Sequence, residues 1–231
     1  MYINKCFYPS DCLKLKQSKH IQINNFLKFE IAEKIYACLK EETQWGLATR
    51  IGQHSKTYIN ESDFNKIEKN KIKRLQNNEF DDFQFVYNTY MIVTSYIEQR
   101  HPNHYLYEVL EWLNSQECLN YFKKLTSRES IVKINAQATR YMPGHYLNLH
   151  NDEDKNENRL YAYVLGFTKS WNPDWGGLLN ILDANNKIVS TLIPSFNSLT
   201  VFEVPQNHFV SYVNQSAKEE RLAITGWFLG K

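Results

Sequence analysis

The sequence lacks the features that mark disordered chains and membrane proteins. Its 231 residues include only 8 Gly and 6 Pro, whereas hydrophobic residues make up 42% and aromatic residues 14%. This composition argues against a low-complexity or disordered chain and predicts a folded protein with a sizeable core. No segment approaches the roughly 18 consecutive apolar residues that a membrane-spanning helix needs. We therefore expect no membrane partner.

The sequence also lacks a large excess of charge of one sign and a cysteine spacing typical of metal sites. A formal net charge of +2 is too small to imply nucleic acid as an obligatory partner. The four cysteines show no metal-ligand spacing such as C-x-x-C, which favours free thiols in a reducing compartment; they are Cys6, Cys12, Cys38 and Cys118. Residues 1–10 hold no apolar run of signal-peptide length. We expect a cytoplasmic protein.

Apolar residues in the first 128 positions recur at helical spacing. We predict helices over residues 26–39, 62–77, 83–99 and 105–124, with Ser62 as a candidate N-cap of the second. This pattern predicts a mainly helical N-terminal support region over residues 1–128.

After residue 128 the pattern changes to short runs rich in β-branched and aromatic residues, separated by turn residues. We predict eight strands, over residues 131–142, 146–149, 160–168, 178–182, 188–193, 199–204, 209–213 and 222–229. Eight strands in about a hundred residues, with no helix between them, favour a jelly roll over a parallel α/β sheet. The expected fold class is α+β. Residues 129–231 would form a cupin-like double-stranded β-helix, with the N-terminal helices packed on one sheet in one composite domain.

Two histidines and an aspartate in this region have the composition of a metal site. His150 and Asp152 are two residues apart at the end of a predicted strand, where side chains project to the same face. His208 opens a late strand that a jelly roll can place beside them. Chance alone gives about 0.24 H-x-D triplets in a chain of this composition, so the evidence is the position rather than the motif. Two histidines and one carboxylate can hold an octahedral metal by one face and leave the other open, as in non-haem iron oxygenases.

Two further residues bear on this prediction. His145 lies five positions before His150, an odd offset that points to the opposite face, so we expect it at the surface or in a supporting role. Arg221 opens the last predicted strand, and its planar guanidinium suits two-point binding of a carboxylate. A cosubstrate that chelates iron through a 2-oxo acid and carries a second carboxylate, such as 2-oxoglutarate, would need this cation at its far end.

From Ala138 to Gly230 the chain resembles the prolyl-hydroxylase branch of the Fe(II)- and 2-oxoglutarate-dependent oxygenases. It is similar to the hypoxia-inducible-factor and ribosomal-protein prolyl hydroxylases of eukaryotes and to bacterial proline hydroxylases. The residues that carry the resemblance are the run YMPGHYLNLHND over positions 141–152, then Arg159, Trp171, Gly176, Gly177, His208 and the run RLAITGW over positions 221–227.

The resemblance implies a set of catalytic residues and cofactors. His150, Asp152 and His208 would bind Fe(II), with 2-oxoglutarate and O2 as cosubstrates and ascorbate as a candidate reductant. Oxidation of 2-oxoglutarate to succinate and CO2 would be coupled to hydroxylation of a C–H bond. Residues 129–231 would then be the oxygenase core.

The resemblance also implies a cosubstrate pocket, with one departure. Arg221 would pair with the distal carboxylate of 2-oxoglutarate, Tyr141 would contribute to the pocket, and Trp227 would line the site. Relatives often place a tyrosine five residues before the tryptophan matched by Trp171, where it hydrogen-bonds the same carboxylate. In this chain that position is Gly166, so either another residue partners Arg221 or the pocket has a different shape.

Three functions are open at this point. The first is hydroxylation of a prolyl residue in a protein, with a ribosomal protein or translation factor as the target by analogy. The second is hydroxylation of a free amino acid or another small molecule, for which a closed pocket rather than an open groove is expected. The third is a non-catalytic cupin-like binding module, in which Arg221 would have no carboxylate to bind. The polar loop over residues 153–158 follows the predicted ligands directly and is a candidate substrate-binding lip.

Overall fold

The structure is a computed structural model that describes residues 2–4, 8–59, 63, 66–77, 79 and 83–231. Cys6 and Ser62 lie outside the described residues; Cys12, Cys38 and Cys118 are free thiols. The helices are α1 (Pro9–Ser18), α2 (Phe29–Ala37, continued by a π-helical turn over Cys38–Glu42), α3 (Lys66–Gln76), α4 (Ile92–Ile97), α5 (Tyr105–Leu113) and α6 (Gln116–Thr126). Within the described ranges, none of these helices has the length and apolar character needed to cross a membrane.

In the part of the chain that the structure describes, thirteen strands form one curled antiparallel sheet. They are β1 (His20–Asn24), β2 (Gly46–Ile51), β3 (His54–Tyr58), β4 (Gln84–Tyr90), β5 (Ile131–Ile134), β6 (Gln137–Tyr141), β7 (Tyr146–His150), β8 (Arg159–Phe167), β9 (Leu179–Leu182), β10 (Ile188–Leu192), β11 (Phe196–Glu203), β12 (His208–Val210) and β13 (Arg221–Gly230). The spatial order is β1-β11-β8-β13-β6-β4-β7-β12-β9-β10; β2 and β3 extend from β4, and β5 pairs with β13. Strands distant in sequence are therefore neighbours, as the predicted double-stranded β-helix requires.

Side-chain alternation on β13 separates the core from the cavity inside the sheet. Leu222, Ile224 and Phe228 face a large hydrophobic core shared with helices α1, α2, α5 and α6. Arg221 and Trp227, on the opposite face, line the interior of the jelly roll. Because successive side chains of a strand point to opposite faces, one strand both anchors the helices and supplies the site. Helix α3 packs separately, against β4.

The predicted helix over residues 83–99 is wrong. Gln84–Tyr90 forms strand β4, and only Ile92–Ile97 is helical. The run Phe85, Val86, Tyr87 is apolar on both faces, so it fits a helical period as well as that of a strand buried on both sides. β4 lies between β6 and β7 and joins the two halves of the jelly roll.

Other boundaries also shift. The predicted strand 131–142 is two strands, and the predicted helix 105–124 is two helices because the Ser115 side chain caps α6 by accepting a hydrogen bond from the Cys118 amide. Residues 1–128 contribute four strands, β1 to β4, besides their helices. The description of that region as mainly a helical support is thus incomplete. The division at 128/129 within one composite domain stays a prediction.

The packing of Phe228 gives a stability prediction. Phe228 is fully buried, with its ring centroid 4.3 Å from that of Phe122 on α6 and 5.4 Å from that of Tyr163 on β8. We expect Phe228→Ala to lower the free energy of unfolding by about 3 to 5 kcal/mol, because it leaves a cavity between helices and sheet. Denaturant unfolding measures this. Val132→Ala, at a side chain that is 43% exposed on the neighbouring strand, should stay within about 0.5 kcal/mol of wild type. Equal losses in the two variants would contradict the assigned core.

Candidate active site

The two predicted histidine ligands are a cross-strand pair. His150 ends β7 and His208 begins β12, and the two residues are directly opposite in the antiparallel register. Their ring centroids are 4.1 Å apart. Side chains directly opposite on one face of a sheet lie close enough to interact, so strand pairing brings together two residues that are 58 positions apart in sequence.

Asp152 joins this pair by a route that differs from the predicted one. β7 ends at His150, and Asp152 lies beyond it with a φ of +63°, in the left-handed region. The turn, rather than strand alternation, carries the carboxylate back towards the histidines; aspartate is one of the residues that tolerate this conformation. Arg159 supports the turn by donating a hydrogen bond from Nη1 to the Asp152 carbonyl at 3.3 Å.

Main-chain hydrogen bonds orient both imidazoles. His150 donates from Nδ1 to the Asn148 carbonyl at 2.8 Å, and His208 donates from Nδ1 to the Gln206 carbonyl at 2.7 Å. Since a carbonyl can only accept, the proton is on Nδ1 in each ring and Nε2 is the atom available to a metal. Burial lowers the pKa of His208 to about 4, so this ring is neutral at physiological pH, as a ligand must be.

The carboxylate lies between the two available nitrogens. Asp152 Oδ1 is 3.3 Å from His150 Nε2, and Oδ2 is 3.5 Å from His208 Nε2. Burial acts to raise the pKa of Asp152, but the contacts with His150, His208 and Trp227 together outweigh it, so the group remains a carboxylate with a lowered pKa. Ligands about 2.1 Å from a divalent ion and at right angles to each other are about 3 Å apart. The three side chains fit the protein-facing half of an octahedral metal.

In the part of the chain that the structure describes, this is the one grouping of His, Cys, Asp or Glu side chains close enough to share an ion. Aromatic rings pack around it: the Phe202 ring centroid is 4.6 Å from that of His208, and the Phe83 centroid is 6.0 Å from that of His150. These contacts restrict the imidazoles to the orientation that the main-chain hydrogen bonds set.

The metal-ligand side chains line a cavity of about 690 Å³ that is open to the surface. This volume is within the range of about 300 to 1,000 Å³ for ligand sites. The β2–β3 hairpin supplies Arg50, Ser55 and Thr57 to the wall, and the other side chains come mainly from β4, β6, β8 and β13. The cavity reaches from the histidines to Arg221.

Arg221 is a buried cation with no anion beside it. Its side chain is 6% exposed, and its guanidinium carbon is 4.8 Å from the ring centroid of Tyr141, its register partner on β6. Nη1 has no hydrogen-bond partner, and among the described residues Arg221 forms no salt bridge. Burial lowers its pKa. An unpaired buried charge is costly, so this end of the cavity has the chemical character of an anion site, and the assignment of Arg221 as its cation stays a prediction.

Tyr141 and Trp227 both line the cavity, as predicted. Tyr141 is buried, and burial raises its pKa, so its phenol is a neutral hydrogen-bond donor. The Arg159 guanidinium carbon lies 3.8 Å from the ring centroid of Trp227, and the Trp227 side chain contacts the Asp152 carboxylate and helps to lower its pKa. Their roles towards a ligand stay predictions.

His145 lies apart from the metal-ligand side chains, as the odd offset predicts, but it is buried rather than at the surface. It accepts a hydrogen bond from the Met142 amide at 3.1 Å and closes the turn between β6 and β7. Burial lowers the pKa of His145 to about 4. It is a neutral structural histidine.

Strand β4 supplies cavity-lining residues that the sequence analysis missed, because it predicted a helix over this segment. Phe85 and Tyr87 line the cavity, and the Tyr87 ring stacks on that of Tyr141 with centroids 5.2 Å apart. Burial raises the pKa of Tyr87 to about 12. Aromatic residues at every second position, Phe83, Phe85 and Tyr87, are the signal that could have identified them, although Val86 between them obscures the alternation.

The loop over residues 153–158 is held by Arg159. This side chain pairs with Glu157 at 2.8 Å and with Asp154 at 3.5 Å while it stacks on Trp227. The loop is therefore tied to the side of the cavity next to Asp152. Its function as a substrate-binding lip stays a prediction.

Jelly-roll proteins with two histidines, one carboxylate and an open coordination face form a class, the non-haem iron oxygenases. Residues 136–229 match the model of the 2OG-Fe(II) oxygenase superfamily. These residues therefore resemble a domain of that superfamily, whose members use Fe(II) as cofactor and 2-oxoglutarate and O2 as cosubstrates, in agreement with the resemblance predicted from the sequence.

Two curated relatives carry the name of a prolyl hydroxylase. The chain is 40% identical over 85 residues to mouse "Prolyl 3-hydroxylase OGFOD1", covering 34% of this chain and 15% of that protein. Its Xenopus laevis counterpart is 38% identical over 85 residues, with 34% and 16% covered. The chain thus spans about a sixth of the length of the curated relatives it matches.

Two solved structures share the fold. A prolyl-4-hydroxylase from Pseudomonas putida superposes with a TM-score of 0.60 at 16% identity, covering 100% of this chain and 96% of that one. A Trichoplax adhaerens prolyl hydroxylase, in complex with a peptide fragment of the hypoxia inducible factor oxygen degradation domain, gives 0.59 at 17% identity, with 95% and 87% covered.

The site predicts which side chains hold a metal. We expect Asp152→Ala and His208→Ala to abolish stoichiometric binding of Mn(II) or Co(II), measured by calorimetry, because each removes one of three ligands. Circular dichroism should show an unchanged fold, since main-chain pairing and the hydrophobic core hold the strands that carry these side chains. His54→Ala, at an exposed histidine on β3, should bind metal as wild type does. Wild-type metal binding in either ligand variant would reject the assignment.

Proposed function

We propose that this chain is an Fe(II)/2-oxoglutarate-dependent dioxygenase that hydroxylates a prolyl residue in a protein, with succinate and CO2 as coproducts. The observation that carries the proposal is that two sets of side chains line one cavity. A His–Asp–His grouping with metal-ligand spacing lies in the same cavity as a buried arginine that has no anion.

Each side chain has a defined task in this proposal. His150, Asp152 and His208 hold Fe(II) by one face. Arg221 binds the distal carboxylate of 2-oxoglutarate through its planar fork, and the Tyr141 ring beneath the guanidinium fixes its position. Trp227 lines the metal end of the cavity. The bound iron, with its cosubstrate, supplies the activation of O2, while the protein positions one C–H bond and excludes water.

The shape of the cavity supports a polypeptide substrate. The cavity is open, whereas a free amino acid would be expected in a closed pocket. Aromatic rings follow β4 along its wall: the centroids of Phe83 and Phe85 are 6.2 Å apart, and those of Phe85 and Tyr87 are 5.3 Å apart. Grooves lined with aromatic side chains are a recurrent means of binding proline.

The names of the relatives support the same substrate class. The mouse relative is called a prolyl 3-hydroxylase, and the Trichoplax structure holds a peptide. A ribosomal protein or a translation factor is the target we propose by analogy with relatives.

The assignment of Arg221 predicts a loss of cosubstrate affinity. We expect Arg221→Ala to weaken binding of 2-oxoglutarate to the Mn(II) form by about 2 kcal/mol or more, roughly 30-fold in Kd, because a charge-assisted two-point contact is lost. Arg221→Lys should restore only part of the affinity, since lysine lacks the planar fork. Anaerobic calorimetry measures both. Arg128→Ala, at an exposed arginine paired with Glu203, should have no effect. Unchanged affinity in Arg221→Ala would place the anion elsewhere.

The proposed reaction predicts two products. Purified protein should release succinate from 2-oxoglutarate in an Fe(II)-dependent manner, and Asp152→Ala should not. Mass spectrometry of cells with wild-type protein or with Asp152→Ala should find a prolyl peptide that gains one oxygen atom only with wild type. Succinate release without a modified proline would favour a small-molecule substrate. Absence of both metal and 2-oxoglutarate binding would favour the non-catalytic module.

A further inference from the structure

The backbone of Gly166 on β8 lies in close contact with the turn over residues 193–195, which joins β10 to β11. It faces the interior of the jelly roll, opposite Ser198 of β11 and Ala223 of β13. A Cβ at this position would be 2.5 Å from the Ser195 carbonyl oxygen and 2.6 Å from Ser198 Oγ. Real Cβ atoms do not approach this closely, so no side chain fits. The turn occupies the space that a larger residue at position 166 would need.

The same turn carries a buried hydroxyl group that lines the same small cavity as Arg221. Ser195 Oγ is shielded from solvent and has no hydrogen-bond partner, and Arg221 Nη1 is in the same condition. Ser198 differs, because its hydroxyl donates to the Ser195 carbonyl at 3.4 Å. An unsatisfied buried donor costs free energy, and two of them at one place indicate a missing acceptor.

Both groups line a small cavity of about 20 Å³ between β8 and the turn. Its other polar walls are Gln22, Thr168, Ser198 and Thr200. Arg221, Val164 and Leu179 line this cavity and the large one, so the small cavity adjoins the large one at its arginine end. A ligand that extends from the metal to Arg221 would therefore end next to Ser195.

We propose that Ser195 is a positioning residue for the cosubstrate, donating a hydrogen bond to the carboxylate that Arg221 binds. The proposal rests on the proposed function and names the residue that completes the anion site. A carboxylate has about four acceptor positions, and the arginine fork uses two of them. A hydroxyl from the turn can use a third. Because the turn also closes this end of the cavity, it limits the length of the dicarboxylate that the site accepts.

A comparison of two ligands tests the proposal. We would titrate the Mn(II) form of wild type and of Ser195→Ala anaerobically with 2-oxoglutarate and with 2-oxobutyrate, a 2-oxo acid that has no distal carboxylate. We expect Ser195→Ala to weaken 2-oxoglutarate binding about 10-fold, the effect of a hydrogen bond to a charged group. Binding of 2-oxobutyrate should be unchanged, because that ligand does not reach the turn. Ser170→Ala, at an exposed serine, should match wild type with both ligands.

The outcomes separate this proposal from the one on which it rests. If wild type binds 2-oxoglutarate, Arg221→Ala weakens it and Ser195→Ala does not, the serine assignment is overturned and the proposed function stands. An equal loss for both ligands in Ser195→Ala would mean a structural effect of the turn, which also overturns the assignment. If wild type binds Mn(II) but no 2-oxoglutarate, the proposed function fails, and the serine assignment fails with it.

Discussion

The register of two antiparallel strand pairs is the constraint on which the site depends. Pairing of β7 with β12 sets His150 opposite His208, and pairing of β6 with β13 sets Tyr141 opposite Arg221. A slip of one residue in either pair would turn these side chains to the other face of the sheet. The metal end and the anion end of the cavity are thus both products of strand register.

That register is fixed partly from outside the cavity. The outward side chains of β13 pack into the helical core, where Phe228 contacts Phe122. A shift of β13 would expose these apolar side chains and bury polar ones in their place, so the helices hold Arg221 in position without touching it. Burial on one face of the strand stabilises the fold, and the same burial holds the other face in the geometry that binding needs.

The sequence predicts the strands after residue 130 well, because turn residues separate short alternating runs. It also predicts that His150, Asp152 and His208 come together, which the structure shows, since His150 and His208 lie at strand ends. It fails at β4, where apolar residues on both faces hide the period of two. It also misses how Asp152 reaches the metal, because a positive φ has no signal in the neighbouring residue types. The buried hydroxyl of Ser195 looks like an ordinary turn residue until Gly166 is seen against it.

The hydrogen bonds that orient the two histidines have a genetic consequence. Their acceptors are the main-chain carbonyls of Asn148 and Gln206, which remain when the side chains at those positions change. In many metal sites the carboxylate of another residue accepts the hydrogen bond from the histidine. Mutation of that residue can then disable the protein. In this protein the acceptors are main-chain atoms, so no substitution of a side chain removes them. Neutral drift can therefore change the side chains at positions 148 and 206 while the hydrogen bonds that orient the imidazoles remain.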